Sequence, residues 1–143
     1  MARMMASFVL FAVLRYVRDI PAFERAQRER RWHYVHPRSP ETVRVGVLGL
    51  GELGAHAAQE LVRQGLDVRG WSRSQKTIDG ISCSSGIEAL DDFLASSDIL
   101  VVMLPLTPQT QGLLSAERLA LLPPGSAFIN VSRGAIVDQV ALT

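Results

Sequence analysis

The chain has 143 residues, of which 48% are hydrophobic and 20% are charged, and its formal net charge is +1. This length suits one domain with one core, so we expect a two-domain enzyme to be incomplete here. The single cysteine, Cys83, excludes an internal disulfide and a cysteine-rich metal site. It favours a reducing, cytoplasmic location, and we predict no bound metal.

The first 40 residues differ in charge from the rest. They carry eight arginines and three acidic residues, whereas residues 41–143 carry seven basic and eleven acidic residues. The apolar run over residues 4–14 is too short to span a membrane, and no small-residue cleavage site follows it, so we do not expect export. Its apolar residues are too many to form one narrow stripe along a helix. They predict a first helix that is buried on most sides against another part of a larger body.

A second helix is predicted over residues 21–31, after which Trp32 and Tyr34 follow. Its arginines and these aromatic residues admit nucleic-acid binding as one interpretation. The other interpretation is a solvated helix with charge pairs of mixed sign and an aromatic anchor. Because the remaining chain is net acidic, we favour the second interpretation and predict no nucleic-acid partner. Residues 1–40 are thus interpreted as a helical arm, and residues 41–143 as the globular domain.

From residue 43 onward, predicted strands and helices alternate. The strands cover residues 43–48, 66–71, 99–104 and 127–131, and the helices cover residues 52–64, 87–94 and 113–122. Asp138 is expected to cap one more helix, which the sequence leaves unfinished, so we expect the domain to be partial. The alternation predicts an α/β fold with a doubly wound parallel sheet.

A glycine-rich GxGxxG turn lies between the first predicted strand and the helix after it. Gly49 allows a tight turn, Gly51 lets the backbone approach a pyrophosphate, and Gly54 permits close packing of helix on strand. The helix N-terminus attracts phosphate, so this context favours a mononucleotide or dinucleotide site over a turn that serves packing alone. Glu52 and Leu53 also lie inside the turn. The negative charge of Glu52 is compatible with a bound phosphate only if the side chain of Glu52 points away from it.

The second predicted strand ends without the acidic residue that usually binds the ribose hydroxyls of NAD. Arg73, supported by Ser72 and Ser74, is suited instead to binding the 2′-phosphate of NADP. Trp71 is expected to line the site of the adenosine. We therefore predict NADP as the cofactor, with NADPH preferred over NADH. The alternative is that Arg73 and Lys76 are ordinary loop charges.

Two further loops leave the same carboxyl edge of the predicted sheet, where ligands bind. An arginine in the second of them is suited to holding a carboxylate through two parallel hydrogen bonds. The first loop has the alternative role of a rigid turn. The candidate residues of the two loops are Leu104, Pro105, Thr110, Val131, Ser132 and Arg133.

Four stretches in this order, LGLGELG, GWSRS, LPLTPQTQGLL and INVSRGAIVD, resemble the D-isomer-specific 2-hydroxyacid dehydrogenases, and among them the glyoxylate/hydroxypyruvate reductases. The segment YVRDIPAFERAQRERRWH is similar to the helical crossover of that family, which joins the substrate and cofactor domains and helps to form a homodimer. The resemblance implies a Rossmann NAD(P)-binding domain, incomplete at both ends. It also implies an NADPH-dependent reductase that converts small 2-keto acids into 2-hydroxy acids.

The resemblance assigns to Arg133 the binding of the keto-acid carboxylate and the polarisation of its carbonyl. In that family the general acid is a histidine paired with an acidic residue, and both come later in the chain. His33, His36 and His56 all precede Arg133, so none is assigned this role, and we expect little or no turnover from these residues alone.

Two alternatives remain open. One is a catalytically incomplete NADP-binding or dimerising fragment. The other is a different Rossmann class, such as a β-hydroxyacid reductase, an imine reductase or a methyltransferase. The NVSRG and LPLTPQT stretches argue against this second alternative.

Overall fold

A parallel five-stranded sheet forms the centre of the structure, a computed structural model that describes residues 1–143. The strands lie in the order β3-β2-β1-β4-β5 and all neighbours run parallel. They are β1 (Arg44–Leu48), β2 (Asp67–Ser72), β3 (Ser82–Ser85), β4 (Ile99–Val102) and β5 (Ala127–Asn130). The helices are α1 (Ala2–Val17), α2 (Ile20–Arg28), α3 (Glu52–Arg63), α4 (Ile87–Ala95), α5 (Ala116–Leu119) and α6 (Gln139–Leu142). The predicted doubly wound α/β fold is confirmed.

Two hydrophobic clusters cover the two faces of the sheet. Val45 and Val101 belong to the cluster that α1 and α3 complete, whereas Leu48 and Leu100 belong to the cluster on the α4 side. Neighbouring residues of one strand point to opposite faces, so a strand that is buried on both faces needs an uninterrupted apolar run. This requirement explains why β4 reads ILVV.

Helix α1 packs on α3 through a single stripe. Within this chain the predicted burial on most sides is therefore met only on this stripe. The stripe consists of Ala6, Val9, Val13 and Val17, all of them buried. The opposite face is open, and Phe8 and Phe11 there are 54% and 63% exposed. The reason is that α1 has few neighbours, so crowding in its sequence does not translate into burial all round. No helix combines the length and the apolar character that a membrane crossing requires.

The region after β4 also departs from prediction. Instead of one helix over residues 113–122, α5 is a single turn capped by the Ser115 hydroxyl, which accepts a hydrogen bond from the Arg118 N–H. The preceding Leu114 is extended and pairs with Val137, its N–H donating to the Ile136 carbonyl over 3.0 Å. Leu113 and Leu114 are therefore apolar because they fill the core beside an extended segment, not because they lie on a helix face.

The amino ends of β1 and β4 are joined by an ion pair. The Arg44 guanidinium donates to both carboxylate oxygens of Asp98, at 3.0 and 2.8 Å, and the Arg44 backbone N–H donates to the same carboxylate at 3.0 Å. The side-chain hydrogen bond from Arg44 lowers the pKa of Asp98 from its usual value. The pair therefore stabilises the start of the sheet while Asp98 is ionised.

We expect Asp98→Asn to lower the free energy of unfolding by about 1–2 kcal/mol at pH 7. Because the folded pKa of Asp98 is lowered, its contribution is complete above about pH 5. It is lost as the pH falls through the unfolded value of about 3.9 toward the folded value. Urea unfolding at pH 7 and pH 3 measures this difference. Asp92→Asn, at an exposed residue without an ion pair, is the control. A deficit that persists unchanged at pH 3 would show that the charge of Asp98 is irrelevant.

Candidate functional site at the carboxyl edge of the sheet

The glycine-rich turn after β1 requires two of its glycines for its own packing. Gly49 has a φ of +112°, and a Cβ there would lie 2.7 Å from the carbonyl oxygen of Met103. A Cβ on Gly54 would overlap the carbonyl oxygen of Gly49. Both positions therefore exclude every residue with a side chain, as predicted for a tight turn and for close packing of helix on strand.

Gly51 is different, because a Cβ built there meets no atom within 4 Å. Its φ of −67° is open to any residue, so the fold alone does not demand glycine at this position. Gly51 is the residue immediately before α3, and no side chain caps the first turn of that helix. Glu52 is exposed and Leu53 is partly buried. The turn thus presents open backbone and uncapped N–H groups to the space outside the sheet, where an anion can approach.

Hydrogen bonds beyond the strands bring four loops to one edge. The Gly49 N–H donates to the Trp71 carbonyl and the Met103 N–H donates to the Leu48 carbonyl, both over 2.8 Å. The Val131 N–H donates to the Val102 carbonyl over 3.2 Å. The loops after β1, β2, β4 and β5 therefore emerge side by side. The strand order reverses between β1 and β4, which is where a parallel sheet opens a crevice for ligands.

The loop after β2 carries free positive charge. Arg73 and Lys76 are exposed, and neither takes part in an ion pair. Ser72 is buried and its hydroxyl donates to the Ser74 carbonyl over 2.7 Å, so it shapes the loop from within. The loop is therefore suited to binding an anion at the outer end of the crevice.

The side chain of Trp71 does not line the crevice, which corrects the expectation that it lines the site of the adenosine. Its side chain is 5% exposed and packs in the cluster on the α4 side. The indole N–H donates to the Gly86 carbonyl over 2.8 Å. The direction of its side chain follows from strand alternation, because Trp71 lies opposite Leu48 in the sheet register and shares its face.

The loop after β4 is tied together by its own side chains. The Thr110 hydroxyl donates to the Pro105 carbonyl over 2.6 Å and accepts the Thr107 N–H over 2.8 Å. Leu104 is buried and Pro105 is exposed. Thr110 and Leu104 thus hold the shape of this loop where it leaves the carboxyl edge of the sheet.

Arg133 lies in the loop after β5 with its guanidinium exposed and no carboxylate at ion-pair distance. Asn130 brackets this loop, since its Nδ2 donates to the Arg133 carbonyl over 3.3 Å and its Oδ1 accepts the Ser132 N–H over 2.9 Å. The Ser132 hydroxyl donates to the Val102 carbonyl over 3.1 Å. The bracing by Asn130 was not predicted, although an asparagine at a strand end is typical of such turns.

The three histidines lie outside these loops. His33 and His36 stand in the extended segment after α2, beside Phe23 and Tyr34 respectively. His56 is on α3, with its Nε2 4.0 Å from a carboxylate oxygen of Glu60. Nowhere do three or more histidine, cysteine, aspartate or glutamate side chains gather in a way that could hold a metal ion.

The reversed strand order and the glycine-rich turn at the switch point define a Rossmann-type domain. A profile of the D-isomer specific 2-hydroxyacid dehydrogenase NAD binding domain matches residues 10–143. The chain therefore belongs to this family.

Named relatives agree with this assignment. Glyoxylate/hydroxypyruvate reductase A of Serratia proteamaculans (strain 568) is 39% identical over 135 residues, which are 94% of this chain and 43% of that protein. The chain thus spans less than half the length of this relative.

Solved structures of the family are also similar. A D-isomer specific 2-hydroxyacid dehydrogenase from Xanthobacter autotrophicus Py2, in complex with NADPH and MES, is 68% identical with a TM-score of 0.97. That match covers 99% of this chain and 58% of the other. An NADPH-dependent glyoxylate/hydroxypyruvate reductase from Sinorhizobium meliloti, in complex with NADP and sulfate, is 35% identical with a TM-score of 0.91. That match covers 96% of this chain and 45% of the Sinorhizobium chain.

Proposed function

We propose that the carboxyl edge of the sheet binds NADPH, and that the chain is the cofactor-binding part of a reductase for small 2-keto acids. The observation that carries this proposal is the glycine turn. Gly49 and Gly54 are required by the fold, whereas Gly51 leaves open space above an uncapped helix N-terminus. A glycine that the fold does not need is explained by a ligand that approaches its backbone closely, as a pyrophosphate does.

The preference for NADPH over NADH is proposed from the loop after β2. Arg73 and Lys76 are exposed and unpaired, and no carboxylate stands at the end of β2 to bind the ribose hydroxyls of NAD. A guanidinium forms short, charge-assisted hydrogen bonds with a phosphate, which suits the 2′-phosphate that only NADPH carries. The relatives from Xanthobacter and Sinorhizobium, which were solved with NADPH and NADP, support this choice.

The substrate is proposed to bind at Arg133. Asn130 holds the backbone of the loop around Arg133 on the edge that the glycine turn shares. The exposed guanidinium of Arg133 forms no ion pair and can donate two parallel hydrogen bonds to a carboxylate. The relatives that reduce glyoxylate or hydroxypyruvate support a small 2-keto acid. When bound, NADPH supplies the hydride. No histidine lies in the edge loops, so we infer that these residues alone protonate the carbonyl oxygen of the keto acid slowly.

Substrate binding can be tested with oxamate, a stable analogue of a 2-keto acid. We expect oxamate to bind the NADPH-saturated chain with a Kd of about 1 mM, and Arg133→Ala to weaken this binding at least about tenfold. Calorimetry measures both values. Arg28→Ala, at an exposed arginine without an ion pair, should leave oxamate binding unchanged. Equal oxamate affinity in the Arg133→Ala variant would refute the proposed role of Arg133.

A homodimer is proposed from the open face of α1. Phe8 and Phe11 are exposed there, and Trp32 in the following segment is 90% exposed. Apolar surface of this kind commonly marks an interface. We expect light scattering after size-exclusion chromatography to give twice the chain mass, and the double variant Phe8→Ser/Phe11→Ser to give the single mass with its fold retained. A monomer in the unaltered chain would contradict this proposal.

A cytoplasmic location is also proposed, since the single cysteine, Cys83, forms no disulfide.

A further inference from the structure

The loop that joins β2 to β3 is anchored to β3 by one side chain. The Gln75 amide nitrogen donates to the Cys83 carbonyl over 3.3 Å and to the Lys76 carbonyl over 3.0 Å. Its amide oxygen accepts the Ser85 hydroxyl over 2.9 Å. The opposite orientation of the amide would set its oxygen against two carbonyl oxygens, so the whole set of contacts fixes one orientation.

A second anchor holds the start of the same loop. The Ser72 hydroxyl donates to the Ser74 carbonyl over 2.7 Å, and the Gly86 N–H donates to the Ser72 carbonyl over 3.2 Å. Arg73 and Ser74 therefore lie between two fixed points, while the side chain of Arg73 is exposed and forms no ion pair. The backbone of the loop is held, and the group that can meet an anion stays free.

The anchoring of Gln75 is close to neutral for stability. Ordering a glutamine side chain at a protein surface costs up to about 2 kcal/mol of conformational entropy, and its three hydrogen bonds return about 1 kcal/mol each. Gln75 is exposed, so burial of apolar surface adds little to its anchoring. An ordered loop is useful where a ligand must find its partner groups already in place, since binding then costs less entropy.

We propose that Gln75 and Ser85 are positioning residues for cofactor selection: they hold the loop after β2 so that Arg73 meets the 2′-phosphate of NADPH. The inference rests on the proposed function. Charge-assisted hydrogen bonds depend steeply on distance and angle, so a loop released from β3 loses affinity for the phosphate first. The remainder of the dinucleotide binds to the glycine turn and is unaffected.

The test compares Kd values for NADPH and NADH, measured by calorimetry on the full chain. Gln75→Ala and Ser85→Ala are expected to weaken NADPH binding about three- to tenfold and to leave NADH binding within about twofold. Ser85→Thr keeps the hydroxyl and should keep the NADPH affinity, because threonine is well accepted in a strand. Ser82→Ala makes the same change in the same strand at an exposed residue with no such contact, and serves as the control. The double variant should lose less than the sum of the two single losses, since both act through one contact.

Thermal unfolding of each variant separates positioning from misfolding. If the unaltered chain prefers NADPH and the two alanine variants change both affinities equally or neither, the inference is overturned and the proposed function stands. If Ser85→Thr loses as much NADPH affinity as Ser85→Ala, the hydroxyl contact is not responsible and the inference is again overturned. If the unaltered chain does not prefer NADPH, the proposed selectivity fails, and this inference fails with it.

Discussion

Gly51→Ala is expected to weaken NADPH binding at least about tenfold while the free energy of unfolding changes by no more than about 1 kcal/mol. The small change in stability follows from open space around a Cβ at this position and from a φ of −67° that alanine adopts readily. Alanine is a poorer residue than glycine before a helix, but it also reduces the entropy of the unfolded chain, and the two effects oppose each other. The large change in affinity follows because the added methyl group occupies the path of the pyrophosphate. Calorimetry and urea unfolding on the same preparation measure both quantities.

Gly54→Ala is the matched comparison, since the same methyl group is added three residues further along the chain. There it overlaps the Gly49 carbonyl, so we expect the variant to lose about 1–3 kcal/mol of stability together with its affinity. The contrast separates a glycine kept for a ligand from a glycine kept for packing. NADPH affinity that survives Gly51→Ala would mean that the pyrophosphate does not approach the backbone at Gly51, and would contradict the proposed role of this glycine.

Arg73→Ala is expected to weaken NADPH binding about 10- to 100-fold and to leave NADH binding unchanged. Hydrogen bonds to charged groups contribute about 1.5–3 kcal/mol each, and about 1.4 kcal/mol corresponds to a factor of ten in Kd. The NADPH affinity of the unaltered chain should also fall as salt is added, more steeply than that of the variant.

Arg63→Ala is the control for this prediction, because Arg63 is exposed at the far end of α3, away from the carboxyl edge of the sheet. It should leave both affinities and their salt dependence unchanged. An equal loss of NADPH and NADH affinity in Arg73→Ala would show that Arg73 acts on the shared part of the dinucleotide or on the fold, and would remove the argument for NADPH.

The sheet could be predicted wherever apolar patterning and turn residues agree. β1, β4 and β5 are mainly apolar, whereas β2 (DVRGWS) has a mixed sequence that follows the helix stop at Gly65. The predicted bounds of all four strands agree with the structure within two residues. The roles of Gly49 and Gly54 could also be predicted, because a GxGxxG turn between a strand and a helix has one steric solution.

β3 could not be predicted, because its sequence SCSS has no apolar alternation. Its strand conformation comes from pairing with β2, which is a contact between distant residues and not a local preference. The same limit applies to Asn130 and Gln75, whose bracing contacts arise only once two loops or strands lie side by side.

Two predictions differ from the structure of this chain because neither the composition of a helix nor the place of a residue in a strand shows which way its side chain points. The apolar residues of α1 were expected to be covered, but whether a face is buried depends on how many neighbours the helix has. Trp71 was assigned to the crevice by its place at a strand end, although the pleat turns its side chain to the covered face of the sheet. A residue near a functional edge points toward the ligand only if the strand alternation allows it.

The most direct test of the proposed site is a calorimetric titration of NADPH and NADH into the unaltered chain. Calorimetry is preferred to tryptophan fluorescence, because Trp71 is packed in the core and Trp32 lies in the exposed segment after α2. We predict saturable binding of both cofactors, with NADPH at least about ten times tighter, as one or two charge-assisted hydrogen bonds to the 2′-phosphate would produce. No heat with either cofactor, or NADH binding at least as tight as NADPH, would contradict the proposed NADPH site.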